Sequence, residues 1–483
     1  MSNTDHFPDA ADFQRQSDDF TQWLSQQPGV TISPSIQIRD LRHQGSGRGV
    51  VASCDIPEGE DLFSLPRHFI LMVENSQLND ILPEELKDLG PWLSLVVVMI
   101  YEYSLGDRSS WKQYFQVLPS KFDTLMFWSD EELSELQASA VTEKIGRQGA
   151  EQDILKIILP LVQAHPDLFP PIYGVPSYDT DGGAQVLLEL AHRMSSLIMA
   201  YAFDIENSED AESDGEDGFL TDDEEQLPKG MVPLADLLNA DADRNNARLF
   251  QEEGALVMRS IKPIKAGDEL FNDYGELPRS DLLRRYGYVT DNYAQYDVVE
   301  LPLTGICHAA GFDNIEKQAY PQLQLLDELE ILEDGYCILR PSPEDSVVDI
   351  LPDELLALVK ILSLGPEDLQ KCQSKKRPPK PSLTAHEARI LLDAMTFKLS
   401  QYGTTVEQDK ATLQGFSSSV ATLSTSQRRH KMAIEVRVGE KQILQQVSLM
   451  LQDFLTSEEK DNGKRSAEDG SQQHQKKAKL GRH

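Results

Sequence analysis

Residues 36–66 read as short β-branched or apolar runs broken at close spacing by Gly, Pro and Asp, the pattern of strands joined by tight turns. From Trp92 the period becomes helical, in 92–103, 131–145, 154–162 and 186–203, and strand-like text returns only at 231–236, 255–261, 269–274 and 296–299. One β unit is therefore interrupted by a long helical insertion. Beyond residue 301 helices dominate. Segment 353–362 starts behind a Pro, Thr384 and Glu387 form a capping box, and Ala388, Leu391, Leu392, Met395 and Leu399 repeat at helical spacing before Gly403. The prediction is an α+β chain: a split β fold followed by an all-α C-terminal domain. Its expected parts are an N-terminal segment 1–35, β parts 36–90 and 231–300 around an insertion 91–230, a helical domain 301–456 and a disordered basic tail 457–483.

With 483 residues the chain has room for two or three packed units. Its 45 Lys and Arg against 80 Asp and Glu leave a formal charge of −35. That balance disfavours direct contact with a nucleic-acid backbone or an anionic membrane and suits a basic protein partner. Twelve of the acids fall in residues 204–225, without one base, and like charges at that density predict a disordered loop. The N-terminus has neither the basic start nor the apolar stretch of a secretory signal, and the longest apolar run, 95–101, is far short of the roughly 20 residues that span a bilayer. A soluble intracellular protein is expected. Cys54, Cys307, Cys337 and Cys372 are too scattered for a zinc site or a disulfide framework, so no metal is expected. The tail carries Lys464-Arg465, a ten-residue spacer, then Lys476, Lys477 and Lys479. This spacing matches a bipartite nuclear import signal, implying an import receptor as partner and the nucleus as location, with the cytoplasm second.

Three remote segments carry candidate chemistry. Ser46-Gly47-Arg48-Gly49 precedes a strand, and alternating glycines let backbone approach a ligand closely, although a Gly-rich turn alone is usually only a turn. In MVPLADLLNADADRNNARLF an apolar run ends at Asn239-Ala240, where a buried amide must be satisfied by backbone or ligand; an Asx turn is the plainer alternative. In ELFNDYGELPRSDLLRRYGYV, Tyr274 and Tyr286 each precede a Gly; tyrosines beside glycines are commonly core aromatics, and contact with substrate is the sharper reading.

Taken in this order, the three segments resemble a SET-domain methyltransferase, and the helical insertion with a helical C-terminal domain is similar to the Rubisco large-subunit methyltransferase group. The resemblance implies a split-SET fold and an S-adenosyl-L-methionine site at Ser46, Gly47 and Arg48, with main-chain contacts from Asn239 and Ala240 and Tyr286 beside the adenine. Many relatives have Ser-Arg-Ala-Phe where this chain has Ala200-Tyr201-Ala202-Phe203, so Tyr201 replaces an Arg that meets the cofactor carboxylate, and the counter-charge must come from elsewhere, Arg48 being one candidate. Ala240 stands where much of the family has His. Tyr274 is the implied catalytic hydroxyl, and Trp111, Ala202, Asp204 and Asp273 the implied substrate groove; for Trp111 a core anchor beside Tyr114 and Phe115 is the alternative. The implied activity is monomethylation of a lysine in a basic protein. A large-subunit ribosomal protein of the eL42 type is the first choice, with histones or transcription regulators as the alternative. A non-catalytic acidic binder of basic partners is the reading from a different class.

Overall fold

The computed structural model describes residues 10–44, 46–206, 227–316, 318–416 and 423–480, of which 461–480 by their backbone. Over these residues the chain divides into two compact units. The first draws on Met1–Glu132, Glu143–Tyr293 and Ser417–His430, the second on Leu133–Thr142, Ala294–Phe416 and Lys431–His483.

In the first unit, strands from before the insertion pair with strands from after it. One sheet has the order Thr31–Ile32, Asp61–Pro66, Ala255–Ser260, Ala247–Gln251, and a second the order Ile36–Asp40, Arg48–Ala52, Glu269–Asn272, Asn239–Ala240. A third joins Leu71–Met72, Lys229–Met231 and Ala202–Asp204. Arg48–Ala52 is buried at all five positions, which is why its glycine and valines form a continuous apolar strand rather than an alternating one. The insertion supplies a helix, Gly90–Ser104, whose Leu95 to Ile100 are fully buried; a helix apolar on every side belongs inside a core.

The second unit has its own core around Leu355, Leu358, Val359, Leu391, Met395, Ile443 and Val447. It is largely helical, with Asp353–Leu362 and Ala385–Ser400 where the periodicity places them and the Thr384–Glu387 capping box formed. It is not all-α: Val298–Pro302 pairs antiparallel with Gly335–Leu339, where buried Tyr336 and Ile338 alternate with exposed Cys337 and Leu339.

Other expectations change as well. The predicted helix 131–145 is a short helix, Asp130–Ser134, followed by turns and the 3₁₀ segment Ala140–Lys144. The helix ending at 203 stops at Tyr201, and residues 202–204 turn into a strand. The N-terminal segment contains a helix, Ala10–Ser25, anchored by fully buried Phe13, Phe20 and Leu24. Of the acidic stretch 204–225, residues 207–225 lie outside the described residues, and Asp204 ends a strand rather than opening a loop. The tail expected to be disordered from 457 instead continues the helix Thr425–Leu480; its Ala, Glu, Lys, Gln and Arg residues are good helix formers. Among the described residues no helix is long and apolar enough to cross a membrane.

Candidate active site

The three motif segments meet in one sheet. Glu269–Asn272 lies between the strand that leaves the glycine turn and the strand Asn239–Ala240, antiparallel to the first (Leu270 opposite Val50) and parallel to the second (Phe271 opposite Asn239, Asn272 opposite Ala240). The Asn239 amide ties them: its Nδ2 donates to the Arg48 carbonyl at 3.3 Å and to Glu269 Oε1 at 2.6 Å. Gly49 is where they crowd. A Cβ there would stand 2.4 Å from Leu41 Cδ1, 2.6 Å from Glu269 Oε1 and 3.1 Å from Asn239 Nδ2, so the glycine is needed for the close approach. Leu41 N–H donates to the Gly47 carbonyl at 2.9 Å and Ser46 N–H to the Leu41 carbonyl at 3.3 Å, which closes the turn.

Both Tyr-Gly pairs are bends. Gly275 (φ +81°) follows Tyr274, and Gly287 (φ +77°) ends the helix Arg279–Tyr286, with Thr124 N only 2.8 Å from where its Cβ would stand. Asp273, which is exposed, shapes the first bend by accepting from Gly275 N–H at 2.8 Å and from Asn245 Nδ2 at 2.9 Å. The bends bring Tyr274 and Tyr286 face to face, ring centres 4.5 Å apart at 11°, with Tyr288 against Tyr286 at 6.4 Å. Burial first, and then the neighbouring Tyr286, Tyr288, Tyr201 and Asp236, hold the Tyr274 hydroxyl far above its ordinary range. Burial likewise raises Tyr201 and pushes Tyr286 up to about 12. These phenols stay protonated at neutral pH.

Asp236 is a residue the motif reading missed. It is 5% exposed and accepts the Tyr114 hydroxyl on Oδ2, while its buried Oδ1 has no side-chain partner and the main chain of Leu234 and Asp236 lies close enough to favour the charged carboxylate. Burial raises its carboxyl to about 7, against the opposing pull of the Tyr114 hydroxyl. Leu234, two residues earlier, has φ +74° and ψ −36°, a strained conformation for a branched side chain that turns the chain into the 3₁₀ segment Ala235–Leu237. The signal was present in the sequence: an acid inside the apolar run MVPLADLLNA costs stability unless something uses it.

Other expected site residues are placed differently. The Arg48 side chain turns away from the tyrosines: its Nε donates to Ser17 Oγ, Nη1 to the Val117 carbonyl, and Nη2 to the Phe13 carbonyl and Gln16 Oε1, so what it offers the motif sheet is its carbonyl. Trp111 is 9% exposed and stacks on Phe69 at 5.0 Å, edged by Trp23 and near Tyr114, so it is a core anchor rather than a groove wall. Ala202 pairs with Met231, and Asp204 holds Lys229 at 2.5 Å.

A SET-domain family model matches residues 47–275, and a Rubisco LSMT substrate-binding model matches residues 314–444. Ribosomal lysine N-methyltransferase 4 of Saccharomyces cerevisiae is 35% identical over 374 residues, 73% of this chain and 72% of that protein. Human N-lysine methyltransferase SETD6 is 28% identical over 450 residues, covering 86% and 87%. The solved structure of Rubisco LSMT bound to AdoMet has the same fold, with a TM-score of 0.65 at 22% identity over 92% of this chain and 93% of that one. With its motif segments joined in one sheet and relatives along most of its length, the chain belongs to the SET-domain protein-lysine methyltransferases that carry a Rubisco LSMT-type substrate-binding region.

Proposed function

We propose that this chain, an S-adenosylmethionine-dependent protein-lysine N-methyltransferase, monomethylates a lysine of a basic large-subunit ribosomal protein of the eL42 type, and does so in the nucleus. The observation that carries the site assignment is the junction of the glycine turn, Asn239 and the stacked Tyr274–Tyr286 pair beside Asp236. These residues fit the cofactor. The face of a phenol pair attracts a cation and takes a flat base, and the close approach at Gly49 joins the 46–48 turn to Asn239 and Glu269 in one wall. In this reading Ser46, Gly47, the Arg48 carbonyl, Asn239 and Ala240 hold the cofactor, with Tyr201 and Tyr286 along its side.

When bound, S-adenosylmethionine supplies a methyl group on a positively charged sulfur. The protein must then present a neutral lysine amine, whose ordinary pKa is near 10.4. A site lined by protonated phenols disfavours the ammonium by desolvation. Tyr274, held protonated, is not a base; its hydroxyl orients the amine for in-line attack. The Oδ1 of Asp236, which no side chain claims, accepts an amine N–H or takes up the proton as the ammonium is discharged. Ala202, Asp204 and Asp273 form the approach for the target segment, and the charge of −35 steers a basic protein toward it. The test is transfer of labelled methyl groups from the cofactor to purified ribosomal proteins and, separately, to histones. Label on an eL42-type protein supports the assignment, and label on histones alone overturns the ribosomal choice.

A further inference from the structure

The first unit contains a second chemical environment, a cavity of about 300 Å³ lined by Arg48, Arg193, Gln16, Tyr103, Tyr173 and Ser120, with Gln116 and apolar neighbours completing the wall. Of the three Arg buried beyond nine-tenths among the described residues, Arg279 and Arg437 meet carboxylates, Asp291 and Asp409, whereas Arg48 meets only neutral oxygens and the face of Phe13 at 3.9 Å. Arg193 donates Nη1 to the Tyr103 hydroxyl at 2.9 Å and leans over that ring at 4.8 Å, while its Nε is buried without a partner. Neither guanidinium has an Asp or Glu partner among the described residues, in a chain with 80 acids and 45 bases. Asp40, already paired with Arg42, acts on Arg48 only from a distance, and a buried charge with no directly bonded counter-ion is costly. The mouth is built as well. Tyr173 is 68% exposed, sits at φ +52° and sets its hydroxyl 2.8 Å from that of Tyr103, extending the polar chain from Arg193 to the surface.

We propose that this cavity binds a small polyvalent oxyanion, phosphate- or carboxylate-bearing, between the guanidinium groups of Arg48 and Arg193. The planar Arg193 guanidinium, with only Nη1 committed, offers a fork to either oxyanion, Arg48 adds its charge and one remaining Nη1 donor, and the Gln16 amide, the Ser120 hydroxyl and the phenols complete the donor set. The assignment does not depend on the methyltransfer reading.

Isothermal calorimetry on the full chain tests it, with pyrophosphate in one arm and citrate in the other, each against sodium chloride at matched ionic strength. Saturable one-to-one binding in either arm supports the site and tells phosphate from carboxylate. Arg193→Met is expected to weaken that binding by about tenfold or more, and Arg193→Lys, which keeps the charge and loses the fork, by about threefold or more. Circular dichroism and the anion-free melting temperature check that each variant is folded, and Arg193→Lys decides if Arg193→Met is not. No saturable binding in both arms, or folded Arg193 variants that bind within about twofold of the parent, overturns the proposal.

Discussion

Two buried carboxylic acids, one in each unit, are driven by burial to the same value of about 7, yet they are built for different ends. Glu440 is fully satisfied: Ser139 Oγ donates to Oε1 and the Tyr402 hydroxyl to Oε2, each at 2.6 Å. Nearby in the same unit, Asp409 holds Arg437 and Lys441. Asp236 has one side-chain partner, Tyr114, an Oδ1 that no side chain meets, and a strained residue two positions before it. A raised carboxyl therefore does not by itself mark a functional site. What separates the two is how the second oxygen is held, by a side-chain hydroxyl in Glu440 and by no side chain in Asp236.

The sharpest way to break this contrast is Asp409→Ala, which strands the buried Lys441, leaves Arg437 only Glu135, and should cost about 3–5 kcal/mol of stability in denaturant unfolding. Tyr274→Phe should cost roughly as much in rate, about 10²–10³-fold in turnover, with cofactor affinity within a few-fold by calorimetry. Unchanged turnover would remove Tyr274 from its role. Gly49→Ala should destabilise by about 1–3 kcal/mol and weaken cofactor binding, because the new methyl pushes Asn239 and Glu269 apart.

Exchanging the two acids for amides is the direct comparison. Glu440→Gln should lower stability by about 1–2 kcal/mol and leave turnover near the parent, whereas Asp236→Asn should do the reverse. Loss of turnover in Glu440→Gln with none in Asp236→Asn would invert the assignment. The remaining comparison is in pH dependence. Both acids hold their proton more tightly folded than unfolded, so their contribution is complete below the ordinary carboxyl range and is lost as pH rises to about 7. Either amide should flatten that fall by at most about 1.4 kcal/mol per pH unit, read from urea midpoints between pH 5 and 7.

Much of this was legible in the sequence because it is local. The Gly turn, the Asn at the end of an apolar run and the two Tyr-Gly bends are each written in a few adjacent residues, and the capping box and the 353–362 helix likewise. What was not legible is set by distant packing. Arg48 looks like part of a ligand turn until the helix Ala10–Ser25 is in place to claim its guanidinium. Trp111 looks like a groove wall until Trp23 and Phe69 close on it. Residues 335–339 are too short a strand to separate from loop without their partner at 298–302.

The pairing of Val50 with Leu270 and of Ser64 with Val257 fixes an order of events during biosynthesis. A nascent chain emerging from the ribosome has made the helical insertion long before either sheet can close, and closing it spans about two hundred residues. Until residue 272 is out, the Arg48–Ala52 strand has no neighbour on its inner edge, and an unpaired strand edge on a nascent chain is open to wrong pairing.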